Sequence, residues 1–158
     1  FAHGFAAEAK GVLEREVDLF ETDPFYVESP NSRALVLMGL GRNEEANLLA
    51  EQVLAEGLRG PGYQYGALAV WGITAARSGD TLEAKAVEEE VEGLSYSSRG
   101  FVRAQIRAAL GDKEGAVRLL ERALYQDGQP YTITLHRNPD LLKLRGYPPF
   151  EELMAPQG

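Results

Sequence analysis

Apolar residues recur along most of this chain at helical spacing. Between Phe5 and Phe20, the positions Ala9, Val12, Leu13, Val17 and Phe20 fall on one face of a helix that Asp23-Pro24 then ends. Gly60-Pro61-Gly62 is a clear break, and the pattern predicts a new helix from about Tyr63 to Arg77. Toward the far end, Asn138-Pro139 opens a short helix that Gly146 stops, and Pro149 opens another from about Phe150 to Met154. Tyr131 to Leu135 alternates weakly and is β-branched, but a lone strand has no partner, so it reads as an extended connector.

The middle of the chain repeats. Three segments align without gaps on Gly41, Gly79 and Gly111, which stand 38 and 32 residues apart. Seven residues before each glycine come Ala34, Gly72 and Ala104, and five after come Ala46, Ala84 and Ala116. Leu49, Val87 and Leu119 follow at eight, then Val53, Val91 and Ala123 at twelve. Small residues in the first two columns let two helices approach closely across a turn, and the later columns continue an apolar stripe. Glycine supplies the left-handed conformation that stops the first helix, and the next residue can cap the second. Asp80 with Glu83 fits that role, as does Asp112, whereas Arg42 leaves the first unit with a weaker cap or one shifted to Asn43.

Composition narrows the function classes. With 158 residues and 44% hydrophobic content, the chain can bury a substantial core. Its net charge is -8, unevenly spread: residues 1–97 hold 7 basic and 17 acidic side chains, residues 98–158 hold 9 and 7. Most of such a surface repels a polyanion, so no nucleic-acid partner is expected. The absence of cysteine removes disulfides, thiolate nucleophiles and cysteine-ligated zinc. The most apolar stretch, Ala67 to Ala76, is about half the length of a bilayer span. The chain opens at Phe1 with no leader ahead of it, so it reads as a processed form or the terminal part of something longer.

The three units resemble the tetratricopeptide repeat, most clearly in Leu110-Gly111-Asp112-Lys113-Glu114-Gly115-Ala116 followed by Leu119-Leu120-Glu121-Arg122-Ala123-Leu124. The resemblance covers roughly residues 27–126 and implies an all-α fold, a short right-handed α-solenoid of helix-turn-helix repeats. Its parts would be an N-terminal helix over 1–26, the remnant of a preceding repeat; repeats over 27–58, 61–94 and 97–126; and a connector with capping helices over 127–158. The tail, Asn138-Pro139-Asp140-Leu141-Leu142-Lys143-Leu144-Arg145 then Pro149-Phe150-Glu151-Glu152-Leu153, is similar to the closing segment of many bacterial proteins with these repeats. The resemblance thus implies a bacterial protein, of cytoplasm or periplasm, in which Leu141, Leu142, Leu144, Phe150 and Leu153 cover the open end of the last pair. The family's large apolar residue near the start of the first helix is present only as Trp71, with Arg33 and Arg103 in that column elsewhere. Either those first helices pack less deeply or the arginines meet acidic partners.

Few residues offer chemistry beyond carboxylates. His3 and His136 are single histidines without ligand spacing, and no phosphate-binding glycine loop or nucleophile elbow occurs. No catalytic residue, metal or cofactor is therefore expected, and a hydrolase working through carboxylates is the remotest reading. Glu88-Glu89-Glu90 with Glu92 spreads over more than half a helix circumference and reads first as a solvated face, second as a dock for a basic partner. Arg99, Arg103 and Arg107 recur every four residues and read as an ion-pair ladder to Glu88 and Glu92, ahead of a site for an acidic peptide. Tyr63, Tyr65, Trp71, Tyr96 and Phe101 gather near one unit boundary; Trp71 reads as core and Phe101 as a groove edge.

The favoured function is protein–protein interaction, an extended peptide or helix lying in the inner surface of the superhelix. Matched to the family's groove-lining positions, the partner-binding residues would be Asn31, Leu35, Met38, Ile73, Arg77, Phe101 and Gln105. The rival reading is a structural accessory subunit that stabilises a larger assembly, one at a membrane included, through a broad outer surface.

Overall fold

A helix can stop abruptly and reverse only where one residue enters the left-handed region, which costs a residue with a side chain about 1–2 kcal/mol. Glycine escapes that cost. Gly41, Gly79 and Gly111 take φ values of 78°, 87° and 84°. The amide of each donates to the carbonyl three residues back: Met38, Ala76 and Ala108. The amide of the following residue reaches five back, Arg42 to Leu37, Asp80 to Ala75 and Asp112 to Arg107, at 2.9–3.0 Å. These paired bonds are a Schellman closure, and they satisfy carbonyls that a frayed helix would leave to water.

The computed structural model describes residues 2–22, 30–56, 61–94, 99–125 and 138–155, apart from the side chains of residues 2–6, 9, 21 and 61–63. Every regular element among them is helical: α1 (Ala2–Thr22), α2 (Pro30–Gly39), α3 (Asn43–Ala55), α4 (Pro61–Ser78), α5 (Thr81–Gly93), α6 (Arg99–Ala109), α7 (Lys113–Tyr125), a 3-10 turn (Leu141–Leu144) and α8 (Pro148–Met154). The Asp23-Pro24 helix stop, the break at Gly60, Tyr96, the connector over Tyr131–Leu135 and His136 lie outside the described residues, as do the side chains of His3, Phe5, Ala9 and Tyr63. The chain divides into two compact units, Phe1–Thr74 and Ala75–Gly158.

In the first unit, α2 and α3 pack along their length across the Gly41 turn, and α1 lies against α2. Ala34 and Ala46, from the small-residue columns, are fully enclosed, with Leu37 and Val53 beside them in the core. Gly39 leaves room for Leu13: a Cβ there would stand 3.3 Å from Leu13 Cδ1. Val17 and Phe20 are the buried members of the α1 face, whereas Val12 faces solvent. The Thr74 hydroxyl lies in hydrogen-bonding reach of Asn47 Oδ1 and of the Val70 and Trp71 carbonyls, which satisfies it in a buried setting. Trp71 is half-buried rather than the enclosed core residue expected of it.

In the second unit, α6 packs closely on α7 across the Gly111 turn and also lies against α5. Asp80 Oδ1 accepts from the Glu83 amide at 3.1 Å and Asp112 Oδ1 from the Gly115 amide at 2.9 Å, so both act as N-caps. Arg42, at the matching place in the first unit, makes no cap and instead pairs with Glu45 at 2.5 Å. That hydrogen bond holds the Glu45 carboxyl below the ordinary glutamate range. A core cluster joins Phe101, Ala104, Ala108, Ala116, Val117 and Leu120 with Leu141, Leu144 and Phe150 of the C-terminal segment. Leu153 is partly buried against it, while Leu142 faces solvent. Gly146, at φ 77°, ends the 3-10 turn.

Because Ala104 and Ala116 lie in one core cluster with no exposed surface, Ala116→Leu is expected to cost about 1–3 kcal/mol by overpacking. Gly111→Ala is a separate probe, since a Cβ there meets nothing within 4 Å and the cost of about 1–2 kcal/mol comes from the backbone alone. Urea unfolding of both variants checks this, and unchanged midpoints would contradict the tight-turn geometry.

Candidate functional site

Helix α5 buries the stripe Ala84, Val87, Glu88 and Val91. Glu88 stands four residues after Ala84 and three before Val91, so helical periodicity turns its carboxylate inward with the apolar residues. An isolated buried carboxylate is costly, and it must be paired. Its partners are guanidinium groups one turn apart on α6. Arg107 Nε lies 2.7 Å from Glu88 Oε1, and Arg103 Nε lies 3.2 Å from the same oxygen. Arg103 also reaches Glu92 at 2.8 Å and Arg107 reaches Asp112 at 3.0 Å. The hydrogen bond that Arg107 donates to Glu88, with Asp112 adding to it, raises the pKa of Arg107 above its ordinary value. Gly115 permits this arrangement, because a Cβ at that position would stand 2.8 Å from Arg107 Nη1 and would press on the Asp112 carboxylate.

These groups form the wall of a cleft of about 550 Å³ lined by Thr81, Lys85, Glu88, Glu89, Glu92, Arg103, Arg107, Leu110 and Asp112. The expected solvated face is therefore corrected at one position: Glu89, Glu90 and Glu92 are exposed, but Glu88 is 5% exposed and anchors the network. The arginine stripe divides as well. Arg103 and Arg107 form the expected ladder, whereas Arg99 donates to the Leu94 carbonyl at 3.3 Å and takes no carboxylate among the described residues. Lys85 and Glu89, on the cleft rim, make no ion pair among the described residues.

The seven residues assigned to an inner groove are placed as follows. In the first unit, Leu35 faces solvent at 45% exposure, and Asn31 is half-buried with its amide against Gly66, where a Cβ would stand 2.9 Å away. Met38 and Ile73 are buried, Ile73 at 1% exposure. In the second unit Phe101 and Gln105 are buried, Phe101 inside the core cluster and so not a groove edge. Arg77 is not an open anchor either: Nε and Nη2 each hold one Asp140 oxygen at 2.9 Å, and Asp140 is itself buried. Asn138 Oδ1 completes that joint by accepting from the amides of Asp140 and Leu141 at 3.0 and 3.2 Å. Periodicity placed these residues on first-helix faces, but the C-terminal segment that covers Phe101 and binds Arg77 comes from far along the chain, so spacing alone gave no sign of it.

Among the described residues, no three histidine, aspartate or glutamate side chains gather to hold a metal ion, and no helix is long and apolar enough to cross a membrane. No family model, no curated protein and no solved structure matches the chain.

Glu88→Ala is expected to cost about 3 kcal/mol, since it removes the buried carboxylate that Arg103 and Arg107 share and leaves them only the more exposed Glu92 and Asp112. Glu92→Ala, at a carboxylate that is 58% exposed, is expected to stay within about 1 kcal/mol of the parent. Equal losses at the two positions in denaturant titrations would mean that Glu88 is not the hub.

Proposed function

We propose that the chain is a tetratricopeptide-like module, a short right-handed α-solenoid, whose work is to bind a protein partner. Support for the repeat reading comes from one turn solution used three times, with the same left-handed glycine, the same pair of bonds and alanine or glycine at the same offsets. The observation that carries the binding reading is the open charged cleft of the second unit. Its inner wall is fixed by Glu88, Arg103 and Arg107, while Lys85 and Glu89 remain available at its rim. Such a surface recognises a polar segment carrying both signs of charge, and its affinity falls as salt screens the rim. The cleft takes the place of the groove assigned to Met38, Ile73, Arg77, Phe101 and Gln105, whose side chains are engaged in packing or pairing.

The accessory-subunit reading is kept for one observation in the first unit. Val12 and Leu19 stand seven residues apart on α1, two turns along one face, and are 47% and 44% exposed. An outer apolar stripe of this kind suits attachment to a larger assembly.

Affinity capture from the native source separates the two readings. Lys85→Glu combined with Glu89→Lys is expected to reduce recovery of the partner at least about tenfold, while Val12→Ser combined with Leu19→Ser leaves it unchanged. Loss of the partner in the α1 variant alone would establish the accessory-subunit reading instead.

A further inference from the structure

A second, smaller cavity lies in the same unit, at the start of α6. It measures about 90 Å³ and is lined by Glu92, Arg99, Gly100, Arg103, Leu119 and Arg122. Three arginines facing one small space in a chain of net charge -8 is a local reversal of sign. Their existing partners do not account for it. Arg103 is saturated by Glu88 and Glu92. Arg99 spends one nitrogen on the Leu94 carbonyl, and Arg122 makes no hydrogen bond or ion pair among the described residues. Among the described residues Glu92 is the single carboxylate lining the cavity, and its contact is with Arg103.

We infer that this cavity is a phosphate-group site, formed by Arg99 and Arg122 with Arg103 behind them, and that it takes a phosphorylated side chain of the protein partner. The inference rests on the protein-binding reading above. With Arg103 held by Glu88 and Glu92, the two guanidinium charges of Arg99 and Arg122 are left without a carboxylate among the described residues, which a phosphomonoester matches, carrying about -1.5 to -2 at pH 7. A single carboxylate would neutralise half of that charge. Guanidinium forks present parallel N–H donors at the spacing of phosphate oxygens, and Gly100 brings no side chain into the space. The volume is far below the ~300 Å³ of a pocket for a whole small molecule, so the site admits one oxyanionic group and leaves the rest of the ligand outside. A nucleic acid fits the surroundings poorly, because the neighbouring cleft presents the exposed carboxylates Glu89, Glu92 and Asp112 to a polyanion.

The test uses the intact chain and the Nε–Hε NMR signals of its arginines. Inorganic phosphate is titrated at pH 7 with ionic strength held constant by sodium chloride. Saturable shifts of the Arg99 and Arg122 signals are expected, with affinity falling roughly tenfold in Arg122→Gln and in Arg99→Gln as one charged donor is lost. Arg122 is exposed and makes no ion pair among the described residues, so its replacement leaves the core intact. Glu92→Gln should tighten binding, because the competing carboxylate is gone. Blocked phosphoserine should bind at least as well as inorganic phosphate, and a short oligothymidylate more weakly. Identical shifts with chloride, retention of affinity in both arginine variants, or preference for the oligonucleotide would each overturn the site. These measurements need no partner. Saturable phosphate binding in a chain that captures no protein therefore sinks only the protein-binding reading, and capture without phosphate binding sinks only this inference.

Discussion

Two helices joined by a turn of two or three residues can lie side by side only if nothing bulky stands between them near the turn. That constraint governs this chain. Ala34 and Ala46, like Ala104 and Ala116, sit on paired helices with no exposed surface at any of the four, and the glycine at each turn removes the one φ barrier to reversing direction. Longer side chains are enclosed in the same units: Leu37 and Val53 in the first, Phe101 and Leu120 within one core cluster in the second. Each such side chain stabilises the fold by about 1.5–3 kcal/mol when fully enclosed, so the alanine columns act mainly by letting their larger neighbours meet.

The second unit adds charge to that plan. Glu88 occupies a place on α5 that periodicity would give to a hydrophobic residue, and the desolvation of its carboxylate is offset by two guanidinium groups. Since those groups stand four residues apart on α6, they select one register of α5 against α6. A shift of one turn would part Glu88 from one of them. The same arrangement holds the arginine stems along the helix surface and leaves their polar ends in the walls of the two cavities. Arg77 and Asp140 repeat the device for the C-terminal segment, where a bidentate pair joins residues 63 positions apart.

What was legible in the sequence follows from residue types with a single physical use. Glycine at a left-handed φ, alanine at a tight crossing and aspartate one residue after the glycine can each be read from one position, and Gly41, Gly79, Gly111, Asp80 and Asp112 behave as that reading expected. Residues whose role depends on a distant neighbour were not legible. Phe101 and Arg77 sit on faces that periodicity identifies, yet the segment containing Asp140, Leu141 and Phe150 decides that one is core and the other a buried tie. Glu88 was half legible: its pairing with the α6 arginines was readable from matched four-residue spacings, while its burial required the stripe Ala84, Val87 and Val91 to outweigh the acidic run around it. Arg122 carried no sequence signal, because its meaning comes from the cavity it shares with Arg99.

The central claim is that one turn geometry is closed three times by the same long-range amide bond. Native-state hydrogen exchange tests it most directly at Arg42, Asp80 and Asp112, whose side chains are exposed while their amides bond to Leu37, Ala75 and Arg107. The account predicts that all three amides exchange at least about a hundredfold more slowly than those of an unstructured chain. Exchange at the unstructured rate at any of the three would show a frayed helix end there and contradict the shared turn.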